Sequence, residues 1–129
     1  DSFAVVHNRD VLGETTWGEL ITHDFWGQDM TSGSSHKSYR PVTIGVWRFW
    51  REVVGAGPWS FHALNLGMHA LVTVQVFFFC RQLSAVVGQP RGLLHPTVAA
   101  ALFAVHPVHT EAVVGVVGFA ELLCSALAL

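Results

Sequence analysis

The sequence predicts an α-helical, polytopic membrane protein: a polar N-terminal stretch with short amphipathic helices, then two or three membrane helices. Three observations carry this. Of the 129 residues 51% are hydrophobic and only 12% charged, with a mean hydropathy of +0.43. The charges are segregated: six of the nine acids and four of the seven basic residues precede Trp50, and after Glu52 only Arg81, Arg91, Glu111 and Glu121 are charged. No formal charge falls between Val53 and Cys80, a run long enough to cross a hydrocarbon core of about 30 Å.

From Asp1 to about Ser35 the sequence is polar and aromatic by turns, with Gly13, Gly18, Gly27 and Gly33 as punctuation. Thr15-Thr16-Trp17-Gly18-Glu19 can start a short helix, with either threonine as cap and Glu19 reaching back. In DFWGQDM, Phe25 and Trp26 are rings between Asp24 and Asp29, suited to a headgroup boundary or to a small core. Over 41–54, Val42, Val46, Phe49, Trp50 and Val53 recur at helical spacing, which reads as an amphipathic helix on a membrane or against other helices. Gly55-Ala56-Gly57-Pro58 ends it.

Residues 61–83 then read as a membrane helix whose interior holds His62, Asn65, His69 and Gln75; such groups form interhelical hydrogen bonds or line a cavity. A turn at 84–91 leads to an apolar helix at 92–106. HPVHTEA (106–112) interrupts with a turn at 107–112, and 113–129 resumes as a third helix that stops inside its apolar run. That ending reads as a fragment. Arg81 and Arg91 mark one side of the membrane, but Arg48 and Arg51 precede the first span on the other, so charge alone does not orient the chain. A net charge of −2 without a long basic run points to no nucleic-acid partner. Cys80 and Cys124 lie in apolar stretches and suggest no disulfide framework. No signal peptide is visible.

Two charged islands carry candidate chemistry. SHKSYRP places His36, Lys37 and Arg40 around Tyr39, where the alternatives are a solvated basic loop and an anion site; lysine offers a point charge and arginine a planar fork to phosphate oxygens. His106, His109 and Glu111 form an H-x-x-H-x-E island. The spacing is compatible with zinc on a continuous helix, but Pro107 opposes such a helix and the H-E-x-x-H pattern is absent. The island reads as a polar hinge without a metal. Asp1, Asp10, Asp24 and Asp29 are either solvated acids or, one of them, the carboxylate that a group transfer needs.

DFWG (24–27), SHKSYRP (35–41), PWSFHALNLGMHALVT (58–73), LFAVHPVHTEAVVGVVG (102–118) and AELL (120–123) follow in an order that resembles the transmembrane and tetratricopeptide-repeat family of endoplasmic-reticulum O-mannosyltransferases, which modify cadherins. The resemblance implies a multi-pass glycosyltransferase of GT-C type in the endoplasmic-reticulum membrane. Its donor is dolichyl phosphate mannose, its acceptor a Ser or Thr hydroxyl of a secretory-pathway protein, and no cofactor is implied. Residues 1–60 become the first lumenal loop, 84–91 a cytosolic turn and 107–112 a lumenal turn. Asp1 matches the second member of the family's acidic pair and is the catalytic candidate. His36, Lys37 and Arg40 would then hold the donor phosphate, and Asp24, His106, His109 and Glu111 would support the lumenal site. Relatives carry an arginine where this chain has Phe119. That departure favours one alternative, a non-catalytic binding protein or pseudoenzyme; another is a transporter piece with His and Glu along a proton path.

Overall fold

The computed structural model describes residues 2–55, 57–88 and 92–129, with backbone only at Ser2 and Phe3. Asp1 and residues 89–91 of the expected 84–91 turn, Arg91 included, lie outside the described residues. The chain forms two compact units, Asp1–Phe61 and His62–Leu129. Its elements are helical, and no strand element occurs among the described residues.

In the first unit, three one-turn helices precede a longer one. Helix α1 is Ser2–Val5. Helix α2, Arg9–Leu12, starts at Asn8, whose side chain accepts the Asp10 N–H, and ends on Gly13 at φ 77°. Helix α3, Trp17–Leu20, has Thr16 as its cap: Thr16 Oγ1 accepts the Glu19 N–H while the Glu19 carboxylate accepts the Thr16 N–H, a reciprocal capping box. Thr15 is used elsewhere, donating to Asp10.

Helix α4 runs Pro41–Val54 and stops at Gly55, φ 112°. It packs on α2 and α3 through Thr43, Ile44, Trp47 and Arg48, whose guanidinium lies 4.4 Å from the centre of the Trp17 ring. The apolar stripe read from the sequence is not the buried face. Val42, Phe49 and Val53 remain exposed. The helix has two apolar faces, and the one that packs is centred on Ile44 and Trp47, with Phe25 against Trp47 at 5.6 Å between ring centres.

Helix α5, Pro58–Val86, starts in the first unit and supplies the long element of the second. At 29 residues it is long and apolar enough to cross a membrane. Helix α6, Leu94–Val105, ends at His106 because Pro107 has no N–H to continue the ladder. A 3-10 turn, Pro107–His109, leads into α7, Thr110–Val114. The expected single helix over 113–129 is instead divided: Gly115 is extended, Val116–Gly118 is a second 3-10 turn, and α8 covers Phe119–Ala128. One helix has the length and composition of a span, and Leu94–Val105 with Pro107–Val114 reaches it only as a pair bent by 46°. Phe119, Val116, Ala120 and Leu122 are buried in this unit.

Two glycines make a paired prediction. A Cβ on Gly118 would lie 2.5 Å from the Ala112 Cα, whereas one on Gly67 meets nothing within 4 Å. Gly118→Ala should cost about 1–3 kcal/mol through forced backbone movement. Gly67→Ala, inside α5, should be neutral or stabilising by up to about 1 kcal/mol. Melting temperatures of the purified full-length protein check both.

Candidate functional site

The first-unit site is built on Asp24, which is 2% exposed. Its Oδ1 accepts the N–H groups of Trp26 at 2.9 Å and Gln28 at 3.0 Å. Its Oδ2 accepts Ser35 Oγ at 2.6 Å and the His36 N–H at 3.2 Å. One carboxylate thus ties DFWG to SHKSYRP, and the Phe25 N–H adds a bond to Ser38 O at 2.7 Å. Burial pushes the Asp24 carboxyl up, but the bonds from Ser35, Gln28, Trp26 and His36 outweigh it and hold it below its ordinary value of 3.8. Gly27 sits at φ 79°, and a Cβ there would come within 2.7 Å of Asn8 Oδ1. Asn8 Nδ2 in turn donates to Phe25 O.

The three predicted cations are all exposed, and the structure divides them. Arg40 lies over the Phe25 ring at 5.2 Å, and the His36 ring stands 6.3 Å from Trp26, itself edge-on to Phe25 at 5.3 Å. Arg40 and His36 therefore flank one aromatic pair. Lys37 turns to Met30, where Nζ donates to the carbonyl at 3.0 Å, leaving two of its three ammonium hydrogens. Its backbone is in the left-handed region, φ 57°, a conformation that costs a side-chain-bearing residue about 1–2 kcal/mol. Ser35 Oγ accepts the Lys37 N–H and holds it there. Arg40 is also the N-cap of α4, whose first turn has Pro41 and no side-chain cap. The positive end of a 14-residue helix is left beside the guanidinium.

Of the loop acids weighed as solvated, Asp10 and Asp24 are buried and, among the described residues, only Asp29 is exposed. Asp10 accepts Thr15 Oγ1 at 2.5 Å and pairs with His23 Nδ1 at 2.9 Å. This Asn8–Asp10–Thr15–His23 network has no sequence signature beyond the cap residue Asn8.

His106, His109 and Glu111 lie in the second unit. His106 Nδ1 accepts the Val108 N–H and so caps the 3-10 turn. The His109 ring is 4.2 Å from Phe103, 5.3 Å from His69 and 6.0 Å from His106, centre to centre. Glu111 is exposed in the first turn of α7. Among the described residues no group of three metal-capable side chains forms. Asn65 and His69, for which the sequence offered interhelical hydrogen bonds or a cavity lining, bond this region.

The Asp24 knot has a pH signature. A depressed carboxyl contributes stability that is complete above the ordinary value and is lost as pH falls through the lower folded value. An acid-active protease should spare residues 24–38 of the full-length protein at pH 5 and cut them faster below about pH 4. Asp24→Asn should be cut already at pH 5, with little further change across that window.

The chain is 43% identical to protein O-mannosyl-transferase TMTC1 of Homo sapiens over 98% of its own length and 14% of that protein's. It is 43% identical to human protein O-mannosyl-transferase TMTC4, covering 97% of this chain and 18% of that one. With TMTC3 of Mus musculus the identity is again 43%, over 97% of this chain and 13% of the relative. The chain thus spans less than a fifth of these curated relatives. No protein-family model and no solved structure matches it. Over nearly its whole length, the chain is similar to one segment of the TMTC1–4 protein O-mannosyl-transferases.

Proposed function

We propose that this chain supplies the donor-phosphate subsite of a protein O-mannosyltransferase, a GT-C-type enzyme of the endoplasmic-reticulum membrane. The donor is dolichyl phosphate mannose and the acceptor a Ser or Thr hydroxyl of a secretory-pathway protein. The observation that carries the reading is the pairing of His36 and Arg40 on Phe25 and Trp26, beside the uncapped start of α4, with Asp24 fixing the loop. The names of the relatives support the reaction class.

In the reaction, the acceptor oxygen bonds to C1 of mannose as the C1–O bond to phosphate breaks, and the electron pair leaves with the phosphate. Charge on that phosphate grows along the way, so fixed cations stabilise the transition state more than the bound donor. Arg40 and His36 supply N–H donors from the aromatic pair, and Lys37 its remaining ammonium hydrogens. The acceptor proton passes to Asp1, the carboxylate that the resemblance assigns. Charge is met by these side chains, and the proposal includes no metal or cofactor. His106, His109 and Glu111 are lumenal, with 1–60 and 107–112 lumenal and 84–91 cytosolic.

Lysine at position 40 keeps the charge but loses the planar two-donor fork, so Arg40→Lys should impair transfer. Arg40→Ala should lower it roughly ten- to a hundredfold, the equivalent of a charge-assisted hydrogen bond of about 1.5–3 kcal/mol. Lys37→Gly relieves the left-handed backbone while removing the ammonium. It should raise thermal stability and lower transfer together, a combination that a purely structural lysine does not give. Kinetics with purified full-length protein and several acceptor peptides check this, because a donor defect is the same for every acceptor. Normal turnover in all three variants returns the cluster to a solvated basic loop. Wild-type protein that binds donor but never transfers mannose favours the non-catalytic alternative raised by Phe119.

Orientation is tested separately. A glycosylation acceptor engineered near Gly33 should be modified in microsomes, and one in the turn following Val87 should not. The reverse pattern contradicts the lumenal loop.

A further inference from the structure

The polar side chains of α5 do something specific. Helix α6 ends at His106, and the Ala104 carbonyl loses both usual partners: Pro107 has no N–H, and the Val108 N–H goes to His106 Nδ1. His69 Nε2 takes that carbonyl at 3.2 Å. A carbonyl only accepts, so Nε2 carries the proton. One turn away on the same helix, Asn65 Nδ2 donates to Ala112 O at 3.2 Å and to Gly115 O at 2.8 Å, where α7 stops. Further on, Gln75 Nε2 donates to Ala126 O in the last turn of α8.

Asn65 is fully buried and His69 is 8% exposed. Their acceptor atoms, Asn65 Oδ1 and His69 Nδ1, are buried without a partner among the described residues. The fold therefore uses their donor ends. Broken helices persist in an apolar surrounding only where a neighbouring helix satisfies the freed backbone groups. Exposed His62, on the same helix, takes no such part.

We propose that Asn65 and His69 are positioning residues for the HPVHTEA turn: a two-point clamp that holds its entry at Ala104 and its exit at Ala112 and Gly115, and thereby sets where His106, His109 and Glu111 stand. The His69 ring also stacks on Phe103 at 5.6 Å, and Phe103 packs on His109, so the clamp reaches an imidazole directly. The consequence for catalysis rests on the proposed mannosyl transfer; the clamp itself does not.

The test uses the full-length protein with its native cysteines replaced by serine and one cysteine introduced by Thr110→Cys, an exposed position inside the turn. Labelling of that cysteine by a maleimide reports the position of the turn, and mannose transfer reports its use. His69→Leu and Asn65→Leu should change the labelling rate at least about threefold and lower kcat roughly ten- to a hundredfold, with the donor KM little altered, because a misplaced group costs about that much. His69→Gln, which can still donate to Ala104 O, should restore both. Asn65→Ala, smaller and without any donor, should behave like Asn65→Leu, and it serves if the leucine variants do not fold. Unchanged labelling in Asn65→Ala, or no restoration by His69→Gln, overturns the clamp. Labelling that follows the prediction in a protein that transfers no mannose upholds the clamp and overturns the proposed function instead.

Discussion

A single carboxylate organises the first unit. Asp24 gathers three backbone N–H groups and one hydroxyl from two stretches of chain, and most of what surrounds it follows from that. With the loop tied, Phe25 enters the core against Trp47 while Trp26 stays partly exposed. Arg40 then has an aromatic face to lie on, and its neighbour Pro41 starts α4. The charge is needed: a buried neutral acid accepts fewer bonds than four donors require, and orphaned buried N–H groups cost about 1–3 kcal/mol each. Lys37 can occupy the left-handed region because its neighbours on both sides are already fixed. Strain of that kind persists only where the surroundings over-determine it, and such places are often functional.

The second unit follows the same rule, that buried backbone groups must be satisfied, with the roles reversed. In the loop a side-chain acceptor collects backbone donors. In α5 side-chain donors collect backbone acceptors, because Pro107 and the extended Gly115 interrupt the helices and free carbonyls. Polar residues in an apolar helix are expensive unless paired. Asn65, His69 and Gln75 are each paired with a carbonyl at or near a helix end, so the irregular backbone and the polar side chains explain one another.

Local signals were legible in the sequence where the physics is local. Pro41 and Gly55 bound α4, Thr16 and Glu19 make the capping box, and Pro107 breaks the helix before it. Long-range choices were not. Helix α4 carries two apolar faces, and only the fold decides that Ile44 and Trp47 pack while Phe49 does not. Asp24 looks like any loop acid until Ser35 and His36 are brought to it, across eleven and twelve residues. Residues 113–129 have the composition of one apolar helix, and the break at Gly115 is bonded by Asn65, fifty residues away. The cations of SHKSYRP were visible as a group, yet their division between the aromatic pair and Met30 is a tertiary outcome.

The central claim is that the Asp24-shaped loop presents His36 and Arg40 to a lipid-linked phosphate. The most direct measurement is an experimental structure of the full-length protein in lipid nanodiscs with a bound polyprenyl phosphate. The account predicts the phosphate within hydrogen-bonding reach of the Arg40 guanidinium and the His36 ring, at the start of α4, with the Asp24 bonds intact. A phosphate bound elsewhere, with Arg40 and His36 facing solvent, would contradict it.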